Sequence, residues 1–130
     1  MIRKKFPEHR TAAMVMANMN YERKDFQEAI NIVTVCIAEI KNRMEPETEA
    51  ISKKDIADLL FNRAHYSARI YHEGAAELKA KARADMLRDL RESLELSPEN
   101  IADIDYPSDE DLGDLTKDRE LAELYKQFKK

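Results

Sequence analysis

Apolar residues recur at three- and four-residue spacing along most of this 130-residue chain, with polar residues between them. That period puts the apolar side chains on one face of an α-helix. The pattern therefore predicts four long helices and a shorter fifth, at about 8–23, 25–43, 52–72, 75–96 and 117–128.

The breaks between these segments predict antiparallel pairs. Arg23-Lys24 leaves room only for a tight turn, and Asp25 is a suitable N-cap for the second helix. Ser52 and Asp55 fit a capping arrangement at the start of the third helix. Ser97-Pro98 ends the fourth helix, because proline disfavours helical geometry in the residue before it.

We therefore expect an all-α fold with a single domain, built from two antiparallel helical hairpins and a C-terminal capping helix. The last helix is amphipathic and needs an apolar surface, which the open end of the preceding pair provides. In order along residues 1–130, the parts are hairpin 1 at about 8–43, a loop at 44–51, an extended hairpin 2 at about 52–97, and an acidic loop with the capping helix at 98–130.

The composition agrees with a helical, water-exposed protein. Only 2 glycines and 4 prolines interrupt a chain that is 43% apolar and rich in good helix formers. No stretch is long and apolar enough to cross a bilayer, so we expect no membrane contact and a cytoplasmic location. The single cysteine, Cys36, lies within an apolar run and is expected to be a buried core thiol.

Charge is unevenly distributed in this chain, whose net charge is −4. Residues 95–114 carry eight acidic side chains and no Lys or Arg, whereas Arg3, Lys4, Lys5 and Arg10 form a short basic run. The acidic segment is a candidate interaction arm. Elsewhere the helices interleave both signs, which disfavours nucleic acid as a partner.

The second and fourth predicted helices carry comparable sequences. Aligning 25–37 with 82–94 places apolar residues opposite apolar residues around one small residue. In the two preceding helices, the small residues Ala17 and Ala64 occupy matching places. The paired positions are Ile30 with Leu87, Val33 with Leu90, Cys36 with Ser93, and Ile37 with Leu94.

Three short segments of the chain resemble the tetratricopeptide repeat (TPR) family. Asp25-Phe-Gln-Glu-Ala-Ile30 is similar to that family's opening of a second helix, and Leu60-Phe-Asn-Arg-Ala64 to its start of a first helix. Leu94-Glu-Leu-Ser-Pro-Glu-Asn100 looks like its habitual exit. The resemblance covers about residues 9–124 and implies a TPR-like, right-handed α-α superhelix of two repeats. The chain departs from the pattern in having no Trp, in carrying Met86 where Ala is expected, and in its longer second hairpin.

In this family the first helix of each hairpin faces a concave groove that holds a peptide or a partner helix. The resemblance assigns to that groove Thr11, Met14, Val15, Asn18, Tyr21, Phe61, Asn62, His65 and Arg69.

Some family members are co-chaperones that hold acidic C-terminal tails in a carboxylate clamp. Asn18 and Asn62 fall on the two amide places of that clamp. Met14 replaces a clamp lysine, and the basic pair of a third repeat is missing, because that segment is the acidic stretch 101–107. Without charge-assisted bonds to a carboxylate, we expect no working chaperone clamp.

Metal binding and catalysis have little support in the sequence. His65 and His72 lie two helical turns apart, roughly 10 Å by helical rise, and would need further ligands. Asp109, Asp111 and Glu120 have part of a calcium-loop spacing, but aspartate stands where the sharp turn requires glycine. There is no glycine-rich phosphate loop and no nucleophile with a nearby base. We therefore expect no metal, no cofactor and no enzyme activity.

The sequence thus predicts a non-enzymatic adaptor that binds a peptide or helix of another protein in its groove. The alternative is a structural subunit or a dimerising component of a larger assembly, because two repeats barely exceed what folds alone.

Overall fold

Five α-helices follow one another in the described part of the chain, and each of the first four packs antiparallel against the next. An all-α architecture of about five packed helices is thereby confirmed. Between the helices lie two 3₁₀ helices and one pair of two-residue strands. The elements are α1 (Ile2–Glu22), α2 (Phe26–Arg43), a first 3₁₀ helix (Pro46–Thr48), α3 (Glu49–Glu73), α4 (Ala76–Leu96), a second 3₁₀ helix (Pro98–Asp103), β1 (Ser108–Asp109), β2 (Gly113–Asp114) and α5 (Arg119–Phe128). This computed structural model describes the backbone of residues 2–104, 108–109, 111–114 and 117–129, and the side chains of residues 12–104, 109, 111–113 and 117–129.

The α1–α2 turn is as tight as its sequence predicts. Asp25 is the N-cap of α2, and its side chain accepts a hydrogen bond from the Glu28 backbone N–H at 3.2 Å. Lys24 reverses the chain with a φ of 64°, in the left-handed region that non-glycine residues seldom adopt. The chain therefore folds back within three residues, and α1 and α2 pack side by side.

Two helix starts differ from the expectation. α1 begins at Ile2 rather than near Glu8, so Pro7 lies inside the helix. Pro7 is the sixth residue of α1, beyond the first turn in which proline is best tolerated, and it lacks the N–H that would complete one helical hydrogen bond. α3 begins at Glu49, and Ser52 is therefore a buried residue of its first turn and not an N-cap.

The interior is divided into two clusters of buried apolar side chains, and α3 contributes to both. The first cluster joins α1 and α2 to α3, and contains Ala13, Ala17, Val33, Cys36, Ile37, Ile40, Leu59, Leu60 and Tyr66. The second joins α3 to α4, the second 3₁₀ helix, the strand pair and α5, and contains Ala64, Ala68, Met86, Leu90, Leu94, Ile101, Leu112, Leu121 and Leu124.

The positions matched between the two hairpins have matching environments. Val33 and Leu90 are both fully buried, and so are Ala17 and Ala64. Cys36 is buried as expected, and its counterpart Ser93 donates a hydrogen bond to the Ala57 carbonyl oxygen at 2.6 Å. The aligned positions of the two helical hairpins are therefore alike in burial.

The capping helix packs where its amphipathic pattern predicts. Leu121 and Leu124 bury one face of α5 in the second cluster. Asp118 caps α5 by accepting the Leu121 backbone N–H at 3.0 Å, and the same carboxylate binds Arg83 of α4. This pair fixes the start of α5 against the fourth helix.

Candidate functional site

The residues assigned to the groove come together on one face of the molecule, shared by α1 and α3. The Asn62 amide lies 3.8 Å from the Met14 sulfur, and the Tyr66 hydroxyl donates to the Asn18 side-chain oxygen at 3.1 Å. These contacts cross between the two helices and make the surface continuous. We call it the α1/α3 face; it consists of Met14, Asn18, Tyr21, Phe61, Asn62, His65 and Arg69.

One other residue assigned to the groove, Val15, does not join this face. Val15 is 53% exposed and is absent from the contacts that link α1 to α3. The side chain of Thr11 lies outside the described residues.

One end of the α1/α3 face is covered by the chain's own acidic segment. The strands β1 and β2 pair antiparallel and form a small hairpin, with Ser108 opposite Asp114 and Asp109 opposite Gly113. The side chain of Leu112 is buried in the second cluster. His72 of α3 reaches the Leu112 carbonyl oxygen, 3.1 Å from its Nε2 atom. The hairpin is therefore held by apolar packing and by polar contacts to the third helix.

Carboxylates of the hairpin contact three residues of the face. The Tyr21 hydroxyl donates a short hydrogen bond to Asp111, and Arg69 Nη1 lies 3.5 Å from the same oxygen. His65 Nε2 lies 3.6 Å from Asp109 Oδ1. Tyrosine, histidine and arginine side chains therefore surround two acidic groups of the same molecule.

Arg69 is positioned by aromatic rings as well as by acids. Its guanidinium carbon lies 5.7 Å from the centre of the Tyr21 ring and 5.5 Å from that of Phe26, within the range of cation–π attraction. Its Nη2 atom pairs with Glu73 at 2.6 Å. None of the described residues offers a hydrogen-bond partner to the buried Nε atom.

Contacts between the β1–β2 hairpin and α3 shift the pKa values of His65, Asp109 and Tyr66. Burial would lower the pKa of His65, but the nearby Asp109 carboxylate and the hydrogen bond to the Phe61 carbonyl raise it overall. Burial would in turn raise the pKa of Asp109, yet the nearby His65 and the hydrogen bond from the Leu112 backbone N–H bring it down to about 2. Burial, followed by the charge of Asp111, raises the pKa of Tyr66 to about 12. The Asp109 carboxylate is therefore ionised throughout the neutral range.

Sequence spacing did not reveal this arrangement. Asp109 is 44 positions after His65, and no helical or turn periodicity links residues that far apart. Among the described residues, the calcium trio considered above is not assembled, because Glu120 lies on α5 and pairs with Arg83 at 3.3 Å. The sequence indicated this contact only through its chemistry, because it contains an acidic segment at 95–114 and a helix that carries His65 and Arg69 on one face.

A second surface lies on the outer side of α1 and α2. Met16 is 54% exposed and Val35 59%, although both are large apolar residues. They border a groove of about 350 Å³ with a carboxylate near each end. We call this surface the α1/α2 groove; it is lined by Ala12, Ala13, Met16, Glu28, Asn31, Ile32, Val35, Cys36 and Glu39.

The fold and its surfaces define an all-helical protein of packed antiparallel helices. No protein family, no curated protein and no solved structure matches the chain significantly. None of the described helices has the length and apolar character needed to span a membrane.

Proposed function

We propose that this chain is a non-enzymatic interaction module that binds a peptide or helix of a partner protein on the α1/α3 face. The observation that carries the proposal is that this face already holds a short segment of polypeptide, the chain's own β1–β2 hairpin, through Tyr21, His65 and Arg69. The two helical hairpins, α1–α2 and α3–α4, are alike in the burial of their aligned positions, which supports a TPR-like relation between them. In a TPR arrangement the first helix of each helical hairpin forms the binding surface.

The part of the face beyond the hairpin offers polar and apolar groups side by side. Asn18 is exposed, and Met14, Phe61 and Asn62 are half-buried. Amide groups can bond the backbone of an extended peptide, since each offers donors and an acceptor. The thioether and the aromatic ring supply adaptable apolar contact. These groups suit a peptide or an amphipathic helix.

The test is a quantitative pull-down from native extract with the full chain as bait. Alanine at both Phe61 and Asn62 is expected to reduce recovery of the specific partner about tenfold or more, because the variant loses an aromatic contact and an amide bond. Alanine at Lys81, which is exposed on α4, is the matched control and should change nothing. Circular dichroism checks that both variants are folded. If every partner is retained by the Phe61 and Asn62 variant, the α1/α3 face is not the binding surface.

A second candidate function, self-association within a larger assembly, is favoured by the α1/α2 groove. The C-terminal end of the helix stack is covered by α5, whereas Val15, Met16, Met19 and Val35 are all 45% exposed or more at the N-terminal end. Exposed apolar patches of this kind are typical of protein interfaces. A second copy of the chain, contributing the same patch about a two-fold axis, would cover it.

Light scattering over a range of protein concentrations separates the two functions. Self-association predicts a dimer that Val35→Glu converts to monomer, because the charge would be buried at the interface. Leu78→Glu is the control, since Leu78 is 51% exposed on α4, away from the groove. A wild-type monomer at all concentrations rules out self-association and leaves the adaptor.

A further inference from the structure

We propose that His65, Asp109 and Asp111 bind a divalent transition-metal ion of the zinc type, linking α3 to the hairpin. One ligand atom from each residue lies within 4.8 Å of the other two. One imidazole nitrogen with two carboxylate oxygens is a donor set that Zn²⁺ accepts, whereas Ca²⁺ and Mg²⁺ prefer oxygen alone. This inference is independent of partner binding, because it concerns ligands within one chain.

His65 is oriented as a metal ligand. Its Nδ1 atom lies 2.8 Å from the Phe61 carbonyl oxygen, which can only accept, so Nδ1 carries a proton. Nε2 then faces Asp109. A backbone carbonyl commonly fixes the ring of a metal-bound histidine in this way.

The separation of His65 and Asp109 fits a bridging ion better than a direct bond. Nε2 and Oδ1 are 3.6 Å apart, which is longer than a hydrogen bond. Two ligand atoms of a tetrahedral zinc ion lie roughly 3.3 Å apart, given bond lengths of about 2.0–2.1 Å. The His65–Asp109 spacing is therefore close to that of two zinc ligands; Asp111 would be the third ligand and water the remaining one.

Both carboxylates are held in place by their own hydrogen bonds. Asp109 is 7% exposed, and its Oδ1 accepts the backbone N–H groups of Asp111 and Leu112 at 2.9 and 3.0 Å. Asp111 is held through Oδ1 by Tyr21 and Arg69. Contacts of this kind orient the ligands of metal sites, and each carboxylate has lone pairs for more than one partner.

The local charge also suits a cation. Asp111 and Glu73 both pair with Arg69, and Asp109 adds a third carboxylate beside Asp111. Arg69 directs its closest ion pair, at 2.6 Å, to Glu73 and not to the hairpin. Lys24, 3.9 Å from Glu73, is 71% exposed and is screened by solvent. A divalent ion would therefore offset an excess of negative charge.

The experiment is calorimetric titration of the full chain, treated with chelator and then dialysed, with Zn²⁺ and separately with Ca²⁺. One Zn²⁺ per chain is expected to bind and to raise the melting temperature as its concentration rises. Co²⁺ should give visible absorption bands of a low-symmetry site with nitrogen and oxygen ligands. Ca²⁺ should bind far more weakly, because the site includes an imidazole.

Two ligand variants and one control decide the assignment. His65→Gln and Asp109→Asn should each weaken Zn²⁺ binding more than tenfold, and the amide at 109 keeps an oxygen that can accept the turn's N–H bonds. His72→Gln is the control, because His72 contacts the same hairpin but lies outside the cluster. Unchanged Zn²⁺ affinity in folded His65→Gln protein, no Zn²⁺ binding by wild type, or equal affinity for Ca²⁺ would each overturn the proposal.

Discussion

At the scale of single residues, the main structural charge pair is formed by Arg63 and Asp89. Asp89 has no exposed surface, and Arg63 binds both of its carboxylate oxygens, at 2.7 and 2.9 Å. Arg63 also donates to the Thr34 hydroxyl at 3.0 Å. The guanidinium group thus connects α3 with α4 and α2.

Removing the Asp89 carboxylate should destabilise the folded chain. Asp89→Ala leaves a largely buried guanidinium without its partner, and we expect the free energy of unfolding to fall by about 3 kcal/mol. The melting temperature, followed by circular dichroism, should fall by roughly 10 °C. Arg88→Ala is the control: Arg88 also reaches Asp89, at 3.4 Å, but is 61% exposed and should contribute under about 1 kcal/mol. A melting temperature within two or so degrees of wild type for Asp89→Ala would contradict this role.

At the scale of elements, α5 depends on an ionised cap. Burial would raise the pKa of Asp118, but the Arg83 pair and the bond from the Leu121 backbone N–H lower it overall. A carboxyl group whose pKa is lower in the folded chain stabilises the fold above its unfolded pKa, near 3.8, and loses that contribution as pH falls through the folded value. Acid should therefore loosen α5 at its N-terminus.

We expect the first turn of α5 to lose order as the pH falls below about 4, while the contribution of Asp118 is constant from there to neutral pH. Backbone amide chemical shifts of residues 119–122, recorded by NMR as a function of pH, measure this directly. In Asp118→Asn the cap oxygen remains but the charge is gone, so that transition should disappear. An identical acid transition in Asp118→Asn would show that another carboxyl group controls α5.

Helix ends and caps that depend on a few neighbouring residues were predicted correctly, whereas other helix boundaries were not. The end of α4 at Ser97 and the cap of α2 at Asp25 depend on a few neighbouring residues, so the sequence identified both. The start of α3 was placed too late because Ser52 and Asp55 resemble a capping arrangement, whereas Glu49, Ala50 and Ile51 are also compatible with a helix.

At the scale of the whole molecule, no local sequence pattern predicts the contact between the β1–β2 hairpin and α3. The α1/α3 face was assigned through a family resemblance, and the structure brings its seven residues together. The same resemblance did not indicate that the acidic segment folds back onto Tyr21, His65 and Arg69. That contact depends on the path of the chain after α4, where the charge pattern showed only an acidic arm. The binding role of the face remains a prediction.

The arrangement of the two clusters also predicts how the molecule unfolds. Stacked helical hairpins can unfold one at a time when each contacts only its neighbour. Here α3 supplies Leu59 and Leu60 to the first cluster and Ala64 and Ala68 to the second, and Arg63 lies between them. Neither cluster can lose α3 without exposing the other, so we expect one cooperative transition.

Native-state hydrogen exchange tests this expectation. The slowest amides of α2 and α4 should report the same free energy of opening, and Leu90→Ala should lower both by about 3 kcal/mol, although Leu90 belongs to the second cluster. Val33→Ala, at the matching position of the first cluster, should likewise lower both, by a smaller amount because fewer methyl groups are removed. If Leu90→Ala lowers the free energy of opening only for the α4 amides and leaves that of the α2 amides unchanged, the two helical hairpins unfold separately and α3 does not couple them.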